Sequence, residues 1–538
     1  MLALTMLTFP APEPGMYVKP NSPQAAAAGK SIIGFNVING KEVEGDLSMI
    51  QSKSAADHRD LVGMFPDSGE KDVAKAAKAA ADAFRSWSAT SAATREDLVQ
   101  RTATILATHR DKLARIVMRE IGMTPREALA EVQGAIDACA FFCVETRRAQ
   151  SRSFGSGARA RLRPVGVCGI LATGSSPLAA PSRKILPAIL CGNTVVWKPS
   201  DNAPAAAYLL LRAMLEAGLP PGVVNTVNGR GRAGCGKHFL AGIEKGHFQS
   251  FSFVGSPALG RTVGELCGRN LIVPSLELTR KGSMVVLPDA DLDQAVEDAL
   301  GAAFAQAGQG VTSLGTILLH DACAEPFRRR FLEAVARLDM GNPMTEAEVA
   351  FGPMINARTA TAFREHWELG QAQGATLLTG GDPWTEANRS SQVKGNIGHG
   401  LYMQPCVWAG VRPDMGLFRH PVLGPAVNLC TVKDFDEAMS WLQGAHCGTV
   451  TALYTQDLAL AGRFQREGTA DIANLNTLAE DPETRLTFTG QGTRPGGQPA
   501  LDGFTRWQAS NLEEAEEPPM EILAGTPAPS IHTDWDSL

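Results

Sequence analysis

Residues 165–171 read VGVCGIL and residues 193–199 read NTVVWKP. Both are short apolar runs without polar alternation, which is the pattern of strands buried on both faces. GVVNTVN (222–228), SFSFVGS (250–256) and IVPSLEL (272–278) repeat it, and helically spaced stretches such as PAAAYLLLRAMLEAGL and GRTVGELCGRN lie between them. Strands alternating with helices predict a parallel sheet covered on both sides. A second set starts near Ser283 with SMVVLPD, TILLHDA, AVNLCTV and VTALYTQ, interleaved with helices such as AEPFRRRFLEAVARL, so a second α/β unit is expected.

Upstream of these sets, from Glu70 to about residue 150, apolar residues recur at helical spacing: Val73, Ala76, Ala80 and Phe84, then Leu98, Thr102, Leu106 and Leu113. Several consecutive helices follow from that. SRSFGSGARARLR (151–163) breaks the pattern with Gly, Ser and four arginines and reads as an exposed ribbon or loop. Residues 381–400 read as a polar surface loop, the Pro/Ala-rich leader as an arm, and the stretch from about Leu512, with EEAEEPP, as a solvated tail.

A chain of 538 residues exceeds one core and should divide into two or three domains. With 44% hydrophobic and 20% charged residues it has a globular composition, and a net charge of −6 leaves no basic footprint for nucleic acid. A small-molecule or protein partner is expected instead. No apolar run reaches the roughly 18 residues of a membrane span, and Pro10, Pro12 and Pro14 interrupt an N-terminus without a basic first segment, so a cytoplasmic protein without membrane partners is expected. The ten cysteines include no CxxC pair, which predicts free, buried thiols and no metal site. Cys139 and Cys143 share a helix face but have no neighbouring His or further Cys, so core packing is their expected role.

NGRGRAGCGKH contains two overlapping glycine patterns, GxGxxG at Gly229, Gly231 and Gly234, and GxxxxGK ending at Gly236 and Lys237. The second lacks the Ser or Thr that a phosphate-binding loop needs after its lysine, because His238 stands there. The first lacks an acidic residue at the end of the next strand, SFSFVGS. A flexible strand-to-helix turn is the better reading.

Taken in order, RPVGVCGIL, KILPAILCGNTVVWKPSD, AGLPPGVVNTVNG, FVGSPALG, LELTRK, FGPMIN, RPDMGLFRHPVLGP and DFDEAM resemble the aldehyde dehydrogenase superfamily, closest to its NAD(P)-linked semialdehyde and betaine-aldehyde enzymes, along roughly residues 30 to 510. The resemblance implies an α/β fold with a three-layer parallel-sheet dinucleotide-binding domain (30–149 and 164–282) and a second, catalytic-type α/β domain (283–480). It also implies a small oligomerisation flap (150–163 and 481–511, with a strand near LTFTGQG), flanked by the arm 1–29 and the acidic tail 512–538. It further implies an NAD or NADP cofactor and a small-molecule aldehyde or nucleotide ligand. The shortness of the segment before RPVG favours a homodimer over a tetramer.

In that family a cysteine thiolate attacks the aldehyde, an Asn side chain and a backbone N–H hold the oxyanion, and a glutamate activates water. Glu277 matches the glutamate, and the family's spacing then places the nucleophile 34 residues on, in GQGVTS, at Val311. Valine has no lone pair and no ionisable proton, so the covalent route is closed. Thr312 and Ser313 follow, but their side chains point elsewhere than that of residue 311. Ser175 stands where the oxyanion Asn belongs, and losing one such donor typically costs about 10² to 10³ in rate. Thr279 and Arg280 replace two glycines of the family pattern, and Pro421 replaces the glutamate that holds the nicotinamide ribose. The adenosine end is better kept: Lys198 and Asp201 match the ribose-binding positions, and Gly255, Ser256 and Gly260 match the turn facing the pyrophosphate, although Pro257 removes one N–H donor. The expectation is therefore a family member that lacks thioester-based oxidation and serves a binding, regulatory or assembly role. The alternative is an oxidoreductase in which Glu277 assists hydride transfer from an aldehyde hydrate.

Overall fold

The computed structural model describes residues 31–148, 152–153, 158–231, 234–278, 281–310, 312–420, 422–444, 450–478 and 498–511. Two seven-stranded sheets organise it. In the first, Pro274–Leu278, Ser250–Gly255, Val167–Leu171, Thr194–Lys198 and Val224–Thr226 lie side by side in that order, all parallel. These are the five apolar runs of the sequence, and their alternate residues fill two different layers. Cys168, Ile170, Val195 and Trp197 join a core with the helices before residue 148, whereas Val167, Val196, Phe251 and Phe253 pack with Phe239 and Phe248 on the opposite face.

One edge departs from the expected all-parallel arrangement. Asn36–Ile38 pairs antiparallel with Val224–Thr226, and Lys41–Val43 continues from it as a hairpin. Asn39 and Gly40 at its turn have φ of 54° and 72°, the left-handed pair that an Asn-Gly hairpin adopts.

The second sheet runs Thr376–Thr379, Cys406–Ala409, Ala426–Val432, Leu314–His320, Gly282–Val286, Val450–Tyr454 and Ile472–Leu475, parallel except for its first strand. Four helices precede the first sheet's central strand, at Glu70–Ala89, Ala92–Thr108, Arg110–Ile121 and Pro125–Arg148, as the periodicity predicts. Ser91 caps the second by accepting from Thr94 N at 3.1 Å, and Gly122 ends the third at φ 76°.

A third, three-stranded ribbon joins Arg152–Ser153, Ala158–Pro164 and Thr505–Asn511 antiparallel. Its C-terminal strand is thus Thr505–Asn511. The stretch 486–492, expected to supply one, lies outside the described residues, as do the arm 1–29 and the tail 512–538.

Candidate functional site

The first sheet reverses its winding between Val167–Leu171 and Ser250–Gly255, because the chain proceeds from the former to Thr194–Lys198 and Val224–Thr226 on one side and returns to the other. Ligands of such sheets sit outside the carboxyl ends of the strands at this reversal. Register places Lys198 opposite Leu171, Leu171 opposite Phe253, and Gly255 opposite Leu278, so Lys198, Gly255 and the end of the strand bearing Glu277 share that edge.

Lys198 is 1% exposed, and its Nζ donates to Pro199 O at 2.6 Å. Among the described residues no carboxylate pairs with it, and a buried ammonium is costly without an oxygen-rich partner. The hydroxyls or phosphate of a nucleotide ribose fit that need. Asp201 is exposed and accepts from Gly231 N at 3.3 Å, so the shorter carboxylate ties down the neighbouring glycine turn. Ser256 Oγ accepts from Leu259 N at 3.5 Å and caps the helix Pro257–Arg269. Gly260, in that helix, has no room for a side chain: a Cβ would lie 2.2 Å from Leu278 Cδ2. The glycines of 229–236 are likewise structural. Gly229 has φ 138°, and a Cβ on Gly236 would meet Gly231 O at 2.1 Å.

Glu277 forms a buried ion pair that the sequence did not announce. Lys184 Nζ lies 3.2 Å from Glu277 Oε2, with the lysine side chain 2% and the glutamate 13% exposed. Lys184 sits on the helix Ala179–Leu190, where nearly every residue is buried. The Glu131 carboxylate fixes that helix's start by accepting from Leu178 N and Ala179 N at 2.7 and 2.8 Å and from Ser176 Oγ. A lysine in a largely apolar helix, nine residues after Ser175 and next to Arg183, was the available signal.

The loop expected to carry a nucleophile keeps an elaborate frame. Gln306 and Ala307 have φ of 52° and 53°, and Gly308 follows at 65°, a left-handed run that costs roughly 1–2 kcal/mol per non-glycine residue. Contacts from three segments hold it. Gln306 N donates to Glu127 Oε1 at 2.7 Å, Gln309 Nε2 donates to Gln306 O and Pro353 O, Ile355 N donates to Gln309 Oε1, and Gly424 N donates to Gly308 O. Gly282 pairs with Leu314 and donates to Ser313 O at 2.8 Å, which sets the segment after Glu277 beside the segment after Val311. Lys281, also buried, donates to Gly424 O and Ala426 O at 2.6 and 2.8 Å, and burial pulls its ammonium down to about 7. Val311, Thr279, Arg280 and Pro421 lie outside the described residues.

Ser175 Oγ lies 3.2 Å from Thr173 Oγ1, and Ser175 lines a cavity of about 10 Å³ with Gln306, Gln309 and Ile355. Thr312 and Ser313 are both buried. No cysteine compensates among the described residues. Burial pushes Cys143, Cys267 and Cys323 up to about 11, Cys191, Cys235 and Cys406 up to about 12, and Cys139, Cys168 and Cys430 higher still. These are thiols, and the thiolate is the nucleophile. The described residues hold no cluster of three or more metal-ligating side chains and no helix long and apolar enough to cross a membrane.

The family model described as aldehyde dehydrogenase family matches residues 43–509. The chain belongs to the aldehyde dehydrogenase family. This aldehyde dehydrogenase family chain is 30% identical over 483 residues to the alpha-ketoglutarate semialdehyde dehydrogenase of Haloferax volcanii, covering 87% of this chain and 97% of that relative. It is 27% identical over 483 residues to the alpha-ketoglutaric semialdehyde dehydrogenase of Bacillus subtilis, covering 88% and 96%. The crystal structure of an NAD-dependent aldehyde dehydrogenase from Sinorhizobium meliloti superimposes with a TM-score of 0.84 at 27% identity, covering 93% of this chain and 98% of that one.

Proposed function

We propose that this aldehyde dehydrogenase family member does not oxidise aldehydes through a thioester and acts as a nucleotide-binding protein with a regulatory or assembly role, as a homodimer. The observation that carries this reading is the hydrocarbon at residue 311, within a loop frame otherwise retained. The serine at 175 and the burial of the described cysteines, which raises their thiols, support it. In this reading residues 30–149 and 164–282 form the nucleotide domain, 283–480 the former catalytic domain, and 150–163 with 481–511 the dimer flap. Lys198 and Asp201 hold the adenosine ribose of NAD or NADP, and Gly255, Ser256 and Gly260 form the turn and helix start that face its pyrophosphate. The bound cofactor would supply a hydride acceptor. Ser175, Val311 and Pro421 supply no counterpart for the reacting end.

The test is calorimetric titration of the protein and of Lys198→Met with NAD and with NADP, together with incubation with a panel of aldehydes. Nucleotide binding that Lys198→Met abolishes, without nicotinamide reduction, is the expected result. Sustained turnover, or an acyl adduct detected by mass spectrometry, overturns the reading. The second reading, hydride transfer from a hydrate assisted by Glu277, rests on the retained carboxylate and predicts turnover abolished by Glu277→Gln.

A further inference from the structure

The ribbon has two unlike faces. Pairing sets Arg163 opposite Arg506, Arg161 opposite Gln508, and Arg159 opposite Ser510, while Leu162 faces Trp507 and Ala160 faces Ala509 between them. Since alternate residues of a strand point to opposite sides, Arg161, Arg163 and Arg506 share one face and Leu162 and Trp507 the other. Arg161 Nε donates to Gln508 Oε1 at 3.3 Å, in keeping with the shared side. Arg161, Arg163 and Arg506 are all exposed, and none has an ion-pair partner among the described residues.

The chain continues directly from this ribbon into the most acidic segment of the protein. Residues 512–538 carry seven acidic side chains and no lysine or arginine, and four of the seven are Glu513, Glu514, Glu516 and Glu517. We propose that the arginine face of the ribbon is a docking surface for residues 513–517 of the chain's own tail. The reach is sufficient. From Asn511, opposite Ala158, the level of Arg161 lies three residues back, roughly 10 Å, and that of Arg163 and Arg506 five residues back, roughly 17 Å. With about two residues taken by the reversal after Asn511, the remaining four span roughly 13 Å by residue 517, past the level of Arg161 and within side-chain reach of Arg163 and Arg506. Arginine forks suit carboxylates. Pro518 and Pro519 then end the extended contact.

The experiment is hydrogen–deuterium exchange on the full chain, following amides of residues 512–525, in the wild type, in R161Q/R163Q/R506Q and in R161K/R163K/R506K. At about 0.05 M salt, the wild-type tail is expected to exchange about tenfold more slowly than in the glutamine variant, with the lysine variant in between, and about 0.5 M salt should remove the protection because it shortens electrostatic range severalfold. Protection of Thr194–Lys198 in the same data reports whether each variant is folded, and the salt arm stands even if the glutamine variant is not. Tail exchange that is as fast in the wild type as in the glutamine variant, or indifferent to salt, overturns the proposal. Protection that grows with protein concentration overturns it too, since the tail of a second copy would then be the occupant.

Discussion

Glu277 is the residue on which the two readings of this site divide, and its replacement by glutamine separates them by stability as well as by activity. In Glu277→Gln the new amide occupies nearly the same volume and still offers an oxygen to Lys184, so the change isolates the charge. Lys184 is 2% exposed and would keep its ammonium while losing the carboxylate that lies 3.2 Å away. Breaking a buried ion pair by removing one partner costs about 3–5 kcal/mol. Because Glu277 retains 13% exposure and the amide still accepts a hydrogen bond, the lower end, about 3 kcal/mol, applies. A cooperative unit of about 250 residues unfolds with an entropy near 0.5 kcal/mol/K, so the melting transition should fall by about 6 °C. The double variant Lys184→Met/Glu277→Leu removes both charges together, and its transition should return to within about 2 °C of the wild type, since apolar pairs commonly replace buried ion pairs at little cost. Calorimetry on the wild type, the single and the double variants measures this directly. A Glu277→Gln transition within about 1 °C of the wild type would refute the view that the carboxylate persists as the counter-ion of Lys184. If that variant also lost turnover, Glu277 would have to be a working base.

Three further outcomes follow from the same geometry. Val311→Cys alone should leave aldehyde oxidation undetectable, and adding Ser175→Asn should raise any activity about 10² to 10³-fold, read as nicotinamide reduction. Burial raises the Glu120 carboxyl to about 7, although Ser52 Oγ, Ala205 N and Ala206 N all donate to it. With its folded value above the unfolded one, the native state binds the extra proton between about pH 4.5 and 7, so this group's contribution to stability is full below that window and is lost as pH rises through it, by about 3 kcal/mol. Urea denaturation across that range should show the slope in the wild type and a flatter line in Glu120→Gln. Gly236→Ala should destabilise by more than about 1 kcal/mol because its Cβ would meet Gly231 O at 2.1 Å, and ATP should give no thermal shift in either protein.

The parallel core was legible because its strands are buried on both sides and therefore read as unbroken apolar runs. The edge hairpin at Asn36–Val43 was not, because strands of three residues give no periodicity to count, although Asn39-Gly40 marks its turn. The site divided along similar lines. Lys198 and Glu277 could be placed from their flanking motifs, yet the partner of Glu277 could not, since Lys184 comes from a helix 93 residues earlier and only folding brings them together. The same holds for the hold of Glu127 on Gln306, across 179 residues. The overlapping glycine patterns misdirect for a converse reason. They mark close backbone approach, and here the atom approached is Gly231 O, so the pattern is satisfied by the protein itself.

On the reading proposed above, the frame around residue 311 outlasts its reagent because the two are held by different forces. A cysteine at that position contributes chemistry and little packing, and valine fills similar volume, so the substitution removes one function at small cost to folding. Glu277, Lys184, Gln309 and Glu127 are a different case: each is a partly or fully buried polar group satisfied by another, and removing any one leaves a desolvated donor or charge behind. On that reading, loss of the nucleophile would spare them, whereas Ser175, whose hydroxyl bonds among the described residues only within its own turn, would be free to change. Retention of a catalytic-looking carboxylate is, on this account, evidence about its buried partner before it is evidence about turnover.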